Sequence, residues 1–218
     1  MPPRYDPHAA ARALADSDPA LARLIDRVGP CRLRVGRSTA PFRALLESIV
    51  YQQLSGHAAA RILERVVALY RPERFPRPQS VLETPEARLR AAGLSRNKVA
   101  AVKDLAAKCI DGTVPPLRTL HRLDEADIVE RLTAVRGIGP WTVEMLLIFG
   151  LGRSDVLPST DYGVRKGFQA AFRTRGLPTP SHVIRRGERW RPYRSVAAWY
   201  LWRAADLKTN GKAGAGRA

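Results

Sequence analysis

Gly137 and Gly139 stand two apart in Leu132-Thr-Ala-Val-Arg-Gly-Ile-Gly-Pro-Trp-Thr-Val-Glu-Met145, between two stretches of helical apolar spacing, and Asp161 follows 22 positions after Gly139. A turn this tight exposes backbone N–H groups that can converge on one anion. Pro140 opens the second helix, where an N–H would have no partner. Val135, Trp141 and Val143 supply the apolar anchors of a packed hairpin, and Arg136 adds a cation beside the turn. Glycines also join helices for steric reasons alone, so the turn points to phosphate only in company with the charge. Asp161 is the residue that would turn a binding motif into an enzyme. Ser159, Thr160 and Asp161 are all N-cap types ahead of a helical run, so capping is the second reading of Asp161.

The charge narrows the partner. Lys and Arg number 37 against 20 Asp and Glu, a formal net charge of +17 over 218 residues. Such a surplus favours a polyanion, here a nucleic acid, although a generally basic surface would give the same count. Cys31 and Cys109 are the only cysteines, which rules out a four-cysteine zinc or iron–sulfur site and any disulfide framework, and fits a reducing cytosol. The first residues carry no apolar signal region, and no run approaches the ~18–20 apolar residues of a membrane span. The expected setting is the cytoplasm, with the nucleoid in a bacterial cell, and no membrane.

Helical spacing dominates the elements that must position these residues. It predicts helices at 9–15 and 19–28, then at 41–53 with Phe42, Leu45, Leu46 and Ile49 on one face, and at 56–70. Thr84-Pro-Glu-Ala reads as a capped helix start ended by Gly93. Ser95 opens a helix to about 110, and Asp124 caps the helix entering the hairpin. Further helices are expected at 162–172, 181–190 and 192–203. Extended alternation is scarce, so the fold class is all-α. Residues 207–218 read as a disordered basic tail.

Gly137-Ile-Gly-Pro-Trp-Thr with Asp161 resembles the helix–hairpin–helix (HhH-GPD) DNA glycosylase superfamily. Ile49-Val-Tyr-Gln-Gln-Leu-Ser55, Gly93-Leu-Ser-Arg-Asn-Lys98 and Trp190-Arg-Pro-Tyr-Arg-Ser-Val-Ala-Ala-Trp-Tyr-Leu-Trp202 are similar to its 3-methyladenine DNA glycosylase II (AlkA-like) branch. The likeness runs from about 40 to 205. It implies a two-lobed helical fold, with 1–55 plus 159–206 forming one lobe and 56–158 the other. The hairpin motif, about 132–150, ends the second lobe. The segment before Pro41 is short and helical, so a compact form without the branch's N-terminal β-rich domain is expected.

The resemblance also implies a reaction. A base-flipping enzyme would extrude an alkylated purine, 3-methyladenine first and 7-methylguanine next, and hydrolyse its N-glycosidic bond. Asp161 is its catalytic residue. Trp141, Tyr162 and Trp202 match aromatic positions of the base pocket, where Met145 stands in place of a further aromatic. Gln52, Gln53, Arg136, Gly137, Ile138 and Gly139 match DNA contacts, with Gln53 at the wedge position. The backbone carbonyls of Thr133, Val135 and Ile138 match a site for Na+ or K+. Bifunctional relatives carry a Schiff-base lysine two positions after the second glycine, and this chain has Trp141 there. The expectation is therefore a monofunctional, monomeric enzyme on double-stranded DNA, without required cofactor or iron–sulfur cluster. The alternatives are a glycosylase for ethenoadenine, deaminated or oxidised bases, and a non-catalytic DNA-binding module.

Overall fold

The structure, a computed structural model, describes residues 5–36 and 40–214, with 208–214 described by backbone alone. In chain order the helices are α1 (Pro7–Ser17), α2 (Pro19–Val28), α3 (Pro41–Tyr51), α4 (Gly56–Ala68), α5 (Pro78–Glu83), α6 (Glu86–Ala91) and α7 (Arg96–Ile110). They continue as α8 (Leu117–Leu120), α9 (Glu125–Thr133), α10 (Pro140–Met145), α11 (Tyr162–Phe172), α12 (Pro180–Gly187) and α13 (Arg194–Gly214). No strand occurs among the described residues, and 31–36 carries no regular secondary structure. Proline occupies the first turn of α1, α2, α3, α5, α10 and α12, where its missing N–H costs no helical bond.

The chain forms two compact units, Met1–Arg37 with Leu147–Ala218, and Ser38–Leu146. The sequence reading draws the division at 55/56 and 158/159 instead. Helix α3 belongs to the second unit because its apolar face (Leu45, Leu46, Ile49 and Val50, all buried) packs on α4 and α7.

In the first unit, α11 and α13 cross closely. A Cβ on Gly167 would lie 1.7 Å from the Leu201 carbonyl oxygen, so only glycine permits that approach. Phe168, Trp190, Tyr200 and Leu201 fill the core around it. Asp18 caps α2 through the Ala20 N–H at 3.0 Å and is fully buried. Arg186 donates to both its oxygens at 2.7 and 2.8 Å, and Trp190 Nε1 donates at 3.1 Å. Burial alone would raise the Asp18 pKa, but the bonds from Arg186, Trp190 and Ala20 outweigh it and hold the carboxyl below its ordinary range.

In the second unit, α7 is the central rail, packed against α3, α5 and α6. Ser95 caps it through the Lys98 N–H, and Asp124 caps α9 through the Asp127 N–H. Two readings of the sequence need correction. Thr84 does not cap α6: its hydroxyl donates back to the Ser80 carbonyl at the end of α5, a helix that the periodicity missed because it is under two turns long. Residues 207–214 are no separate tail either. Helix α13 propagates through Ala204-Ala205-Asp206-Leu207 to Gly214, each added residue gaining one hydrogen bond, while 215–218 lie outside the described residues.

Candidate active site

The hairpin lies within the Ser38–Leu146 unit. Its turn closes through two short bonds, Val135 N–H to the Leu132 carbonyl at 3.2 Å and Ile138 N–H to the Val135 carbonyl at 3.0 Å. Gly137 has φ +79°, a left-handed conformation that a side chain disfavours. Gly139 is extended and caps α10, and a Cβ built there meets nothing within 4 Å. Internal packing therefore does not demand the second glycine. Leu132, Val135, Ile138 and Val143 are buried beneath the turn, and the Arg136 side chain is exposed above it.

Not every turn N–H is available to a ligand. Arg136 donates its N–H to Asp104 Oδ2 at 2.7 Å, and Ile138 donates to Val135. Those of Gly137 and Gly139 have no acceptor among the described residues. Asp104 also takes a 2.6 Å ion pair from Lys108. Burial would raise the Asp104 pKa, but the Arg136 N–H and Lys108 overcome this and lower it. Asp104 is a hairpin residue that sequence reasoning missed, because the contact spans 32 positions. The Val135 carbonyl that accepts from Ile138 keeps a second lone pair, and those of Thr133 and Ile138 flank it in the chain. Among the described residues no three His, Cys, Asp or Glu side chains gather as a metal site.

The turn after α3 lies in the same unit. Gln52, half-buried, donates its Nε2 to the Gly137 carbonyl at 2.8 Å. Gln53 is exposed and left-handed at φ +57°. Leu54, which follows it, leaves 40% of its surface exposed, and Tyr51 leaves 41%. Neither apolar side chain was singled out from sequence; the signal was a leucine next to a polar turn, outside the helical period. Lys98 Nζ donates to the carbonyls of Val50 at 2.6 Å and Gln52 at 2.8 Å, and burial lowers its pKa. Trp141 is 48% exposed and Met145 half-buried on α10.

Asp161 lies in the other unit, at the start of α11. The loop before it is pinned by the buried Ser195, whose Oγ donates to the Arg153 carbonyl at 2.8 Å and accepts from Val156 N–H at 3.0 Å. Asp161 is indeed an N-cap: its Oδ1 accepts from Val164 N–H at 2.7 Å. The same oxygen accepts from Trp202 Nε1 at 2.8 Å. A plain helix cap needs no second donor from a helix 41 positions away. Trp202 in turn stacks on Phe149, with centroids 5.6 Å apart and planes at 27°. Phe149 is carried by the π-helical turn Leu146–Gly150, a rare geometry that recurs at functional sites. A Cβ on Gly163 would stand 2.8 Å from Trp202 Cδ1 and 3.1 Å from Asp161 Oδ1, so glycine there admits the indole.

These contacts separate the aromatic residues by role. Tyr162 is 64% exposed beside Asp161, with the Lys166 ammonium 5.5 Å from its ring centre. Trp202 orients the carboxylate. Tyr200 is buried and donates its hydroxyl to the Gly29 carbonyl, and Trp190 is buried on Asp18, so both are structural.

A phosphate-type hairpin between helices, followed by a carboxylate fixed at a helix start, defines a helix–hairpin–helix protein equipped for chemistry on DNA. The family model of the HhH-GPD superfamily base excision DNA repair protein matches residues 46–192, and the chain belongs to that family. It is 37% identical to DNA-3-methyladenine glycosylase 1 of Schizosaccharomyces pombe over 85% of this chain and 82% of the relative. The solved structure of the Schizosaccharomyces pombe 3-methyladenine DNA glycosylase (Mag1) in complex with abasic DNA is 36% identical. It covers 91% of this chain and 97% of its own, with a TM-score of 0.78. The DNA-3-methyladenine glycosidase of Bacillus halodurans matches with a TM-score of 0.84 at 31% identity, covering 92% and 91%.

Proposed function

We propose that this protein is a monofunctional DNA glycosylase that releases alkylated purines, 3-methyladenine and 7-methylguanine, from double-stranded DNA. The observation that carries the reading is Asp161, held by the Val164 N–H and the Trp202 indole rather than by a cap alone. The names of the relatives, DNA-3-methyladenine glycosylase and its abasic-DNA complex, support the same substrate class.

The N–H groups of Gly137 and Gly139 and the Arg136 guanidinium grip a phosphate, and the open space above Gly139 lets it approach the backbone. The Thr133, Val135 and Ile138 carbonyls would hold a Na+ or K+ at the turn in this reading. Gln53 and Leu54 enter the duplex as the base leaves it, with Leu54 as the apolar plug. Trp141 and Tyr162 each leave an aromatic ring exposed, a surface on which an extruded base can stack.

An N-alkylated purine carries positive charge. When its bond to C1′ breaks, the bonding pair stays on the base, which departs neutral, and positive charge develops on the sugar. The Asp161 carboxylate stabilises that charge, then takes a proton from the water that adds to C1′. The product is an abasic site in an uncut strand. Trp141 offers no amine where a lyase needs one, so no imine forms with the sugar. The chemistry requires one copy of the chain, and a monomer suffices.

The test is base release across a panel of lesions in duplex DNA, with borohydride added in parallel. Release of methylated purines without a trapped protein–DNA adduct is expected. A trapped adduct contradicts the monofunctional assignment, and binding without release of any base makes the protein a DNA-binding module.

A further inference from the structure

Lys98 sits in the first turn of α7, where the helix dipole opposes a cation. Its place is explained by another helix. The C-terminal end of α3 carries carbonyls without helical partners, and dipoles favour a cation there. Lys98 Nζ meets two of these oxygens, Val50 at 2.6 Å and Gln52 at 2.8 Å. The residue between them and the duplex-facing leucine is Gln53, at φ +57°. A side chain in this region is strained and persists only where the surroundings over-determine it. Two contacts do so. Lys98 holds the carbonyl immediately before Gln53, and the Gln52 side chain fastens the same residue to the hairpin by donating Nε2 to the Gly137 carbonyl. Asp104, six positions further along α7, fastens the hairpin at Arg136 N–H. Helix α7 thus holds both DNA-facing turns from one side, at Lys98 and at Asp104.

We propose that Lys98 is a positioning residue for base extrusion: with Gln52 it locks the Gln53–Leu54 turn in register with the hairpin, so that the turn is preformed when the duplex opens. Gln52 then acts through the hairpin carbonyl and not by touching DNA. The inference rests on the proposed glycosylase reading, in which this turn enters the duplex. A preformed turn spares the ordering cost that a loose one would meet on each extrusion. Its worth is greatest where the base is stacked and paired, and least in a single strand, where little must be opened.

The experiment compares Lys98→Met, Lys98→Arg and Gln52→Ala with wild type by single-turnover release of 7-methylguanine from a paired duplex and from the same strand unpaired. Losing two charge-assisted bonds in Lys98→Met should slow duplex release about tenfold and single-strand release less than about twofold, and Lys98→Arg should recover most of the difference. Equal losses on both substrates mean a merely structural lysine and overturn the proposal, as does no loss on either. A second readout does not need base release: 2-aminopurine placed beside an abasic-site analogue in duplex DNA, whose fluorescence rises as it unstacks. Wild type should raise the signal, and both Lys98→Met and Gln52→Ala should blunt it. An undiminished signal in these variants overturns the inference. Absence of base release by wild type with the unstacking pattern intact refutes the glycosylase reading while leaving the lock in place. Should Lys98→Met fail to fold, as judged by its melting curve, Gln52→Ala carries the same test from a half-exposed position.

Discussion

Trp202→Phe separates the two functions that the indole serves beside Asp161. The ring would still stack on Phe149, now 5.6 Å away between centroids, and would still sit over Gly163. What disappears is one N–H, donated to Asp161 Oδ1 at 2.8 Å. Hydrogen bonds to charged groups contribute about 1.5–3 kcal/mol. Both residues are half-buried, so the lower end applies. If that bond holds the carboxylate in line with the sugar, about 1.5 kcal/mol of transition-state stabilisation is lost and release slows roughly tenfold. The Val164 N–H remains on the same oxygen at 2.7 Å. Asp161 therefore still caps α11, and stability should fall by no more than about 1 kcal/mol. Single-turnover release of 7-methylguanine from duplex DNA, with a urea denaturation curve on the same preparation, reads both numbers. A rate within about twofold of wild type would refute the claim that Trp202 orients the carboxylate. A rate loss matched by unfolding would reduce Trp202 to a packing residue.

Arg136→Ala should weaken DNA binding alike on all sequences and make the slope of log affinity against log salt shallower by about one, and an unchanged slope would remove Arg136 from the phosphate contacts. Gly167→Ala drives a methyl into the Leu201 backbone at 1.7 Å, and denaturant titration should show a loss of about 3 kcal/mol or more; a neutral substitution would contradict the close crossing of α11 and α13. Asp18→Asn leaves Arg186, itself one-third exposed, without its carboxylate and should cost about 2 kcal/mol at neutral pH. Because the Asp18 pKa is lowered on folding, its contribution is full above the ordinary carboxylate value of about 3.9 and drains away as pH falls through the folded value. The stability gap between wild type and Asp18→Asn should thus narrow on acidification, and a gap independent of pH would refute the linkage.

Local chemistry made much of this fold legible in the sequence. Asp124, Ser95 and Asp18 cap the helices that their residue types announce, because a cap is a contact within three positions. The hairpin was readable for the same reason: two glycines, a proline and buried valines lie within one turn of each other. What escaped was carried by long separations or by competition. Asp104 reaches Arg136 across 32 positions, and Lys98 reaches Gln52 across 46, and no periodicity encodes either. Gln52 has the residue type of a DNA contact, and only the structure shows that its Nε2 also donates to the Gly137 carbonyl of the hairpin, 85 positions away. Thr84 looks like the start of a helix and instead closes the one before it, since its hydroxyl can bond either way. Trp202 was expected as a pocket wall, and only the three-dimensional placement of its N–H shows what it does to Asp161.

The central claim is that Asp161 performs chemistry and does not only cap α11. Asp161→Asn keeps an oxygen to accept from Val164 and Trp202 while removing the charge. The direct measurement is single-turnover release of 3-methyladenine from duplex DNA by wild type and Asp161→Asn, alongside their affinities for duplex bearing an abasic-site analogue. Release should fall by about 100-fold or more while affinity stays within a few-fold, as expected when charge stabilisation is lost from a folded, DNA-binding protein. Equal release by the two proteins would contradict the account.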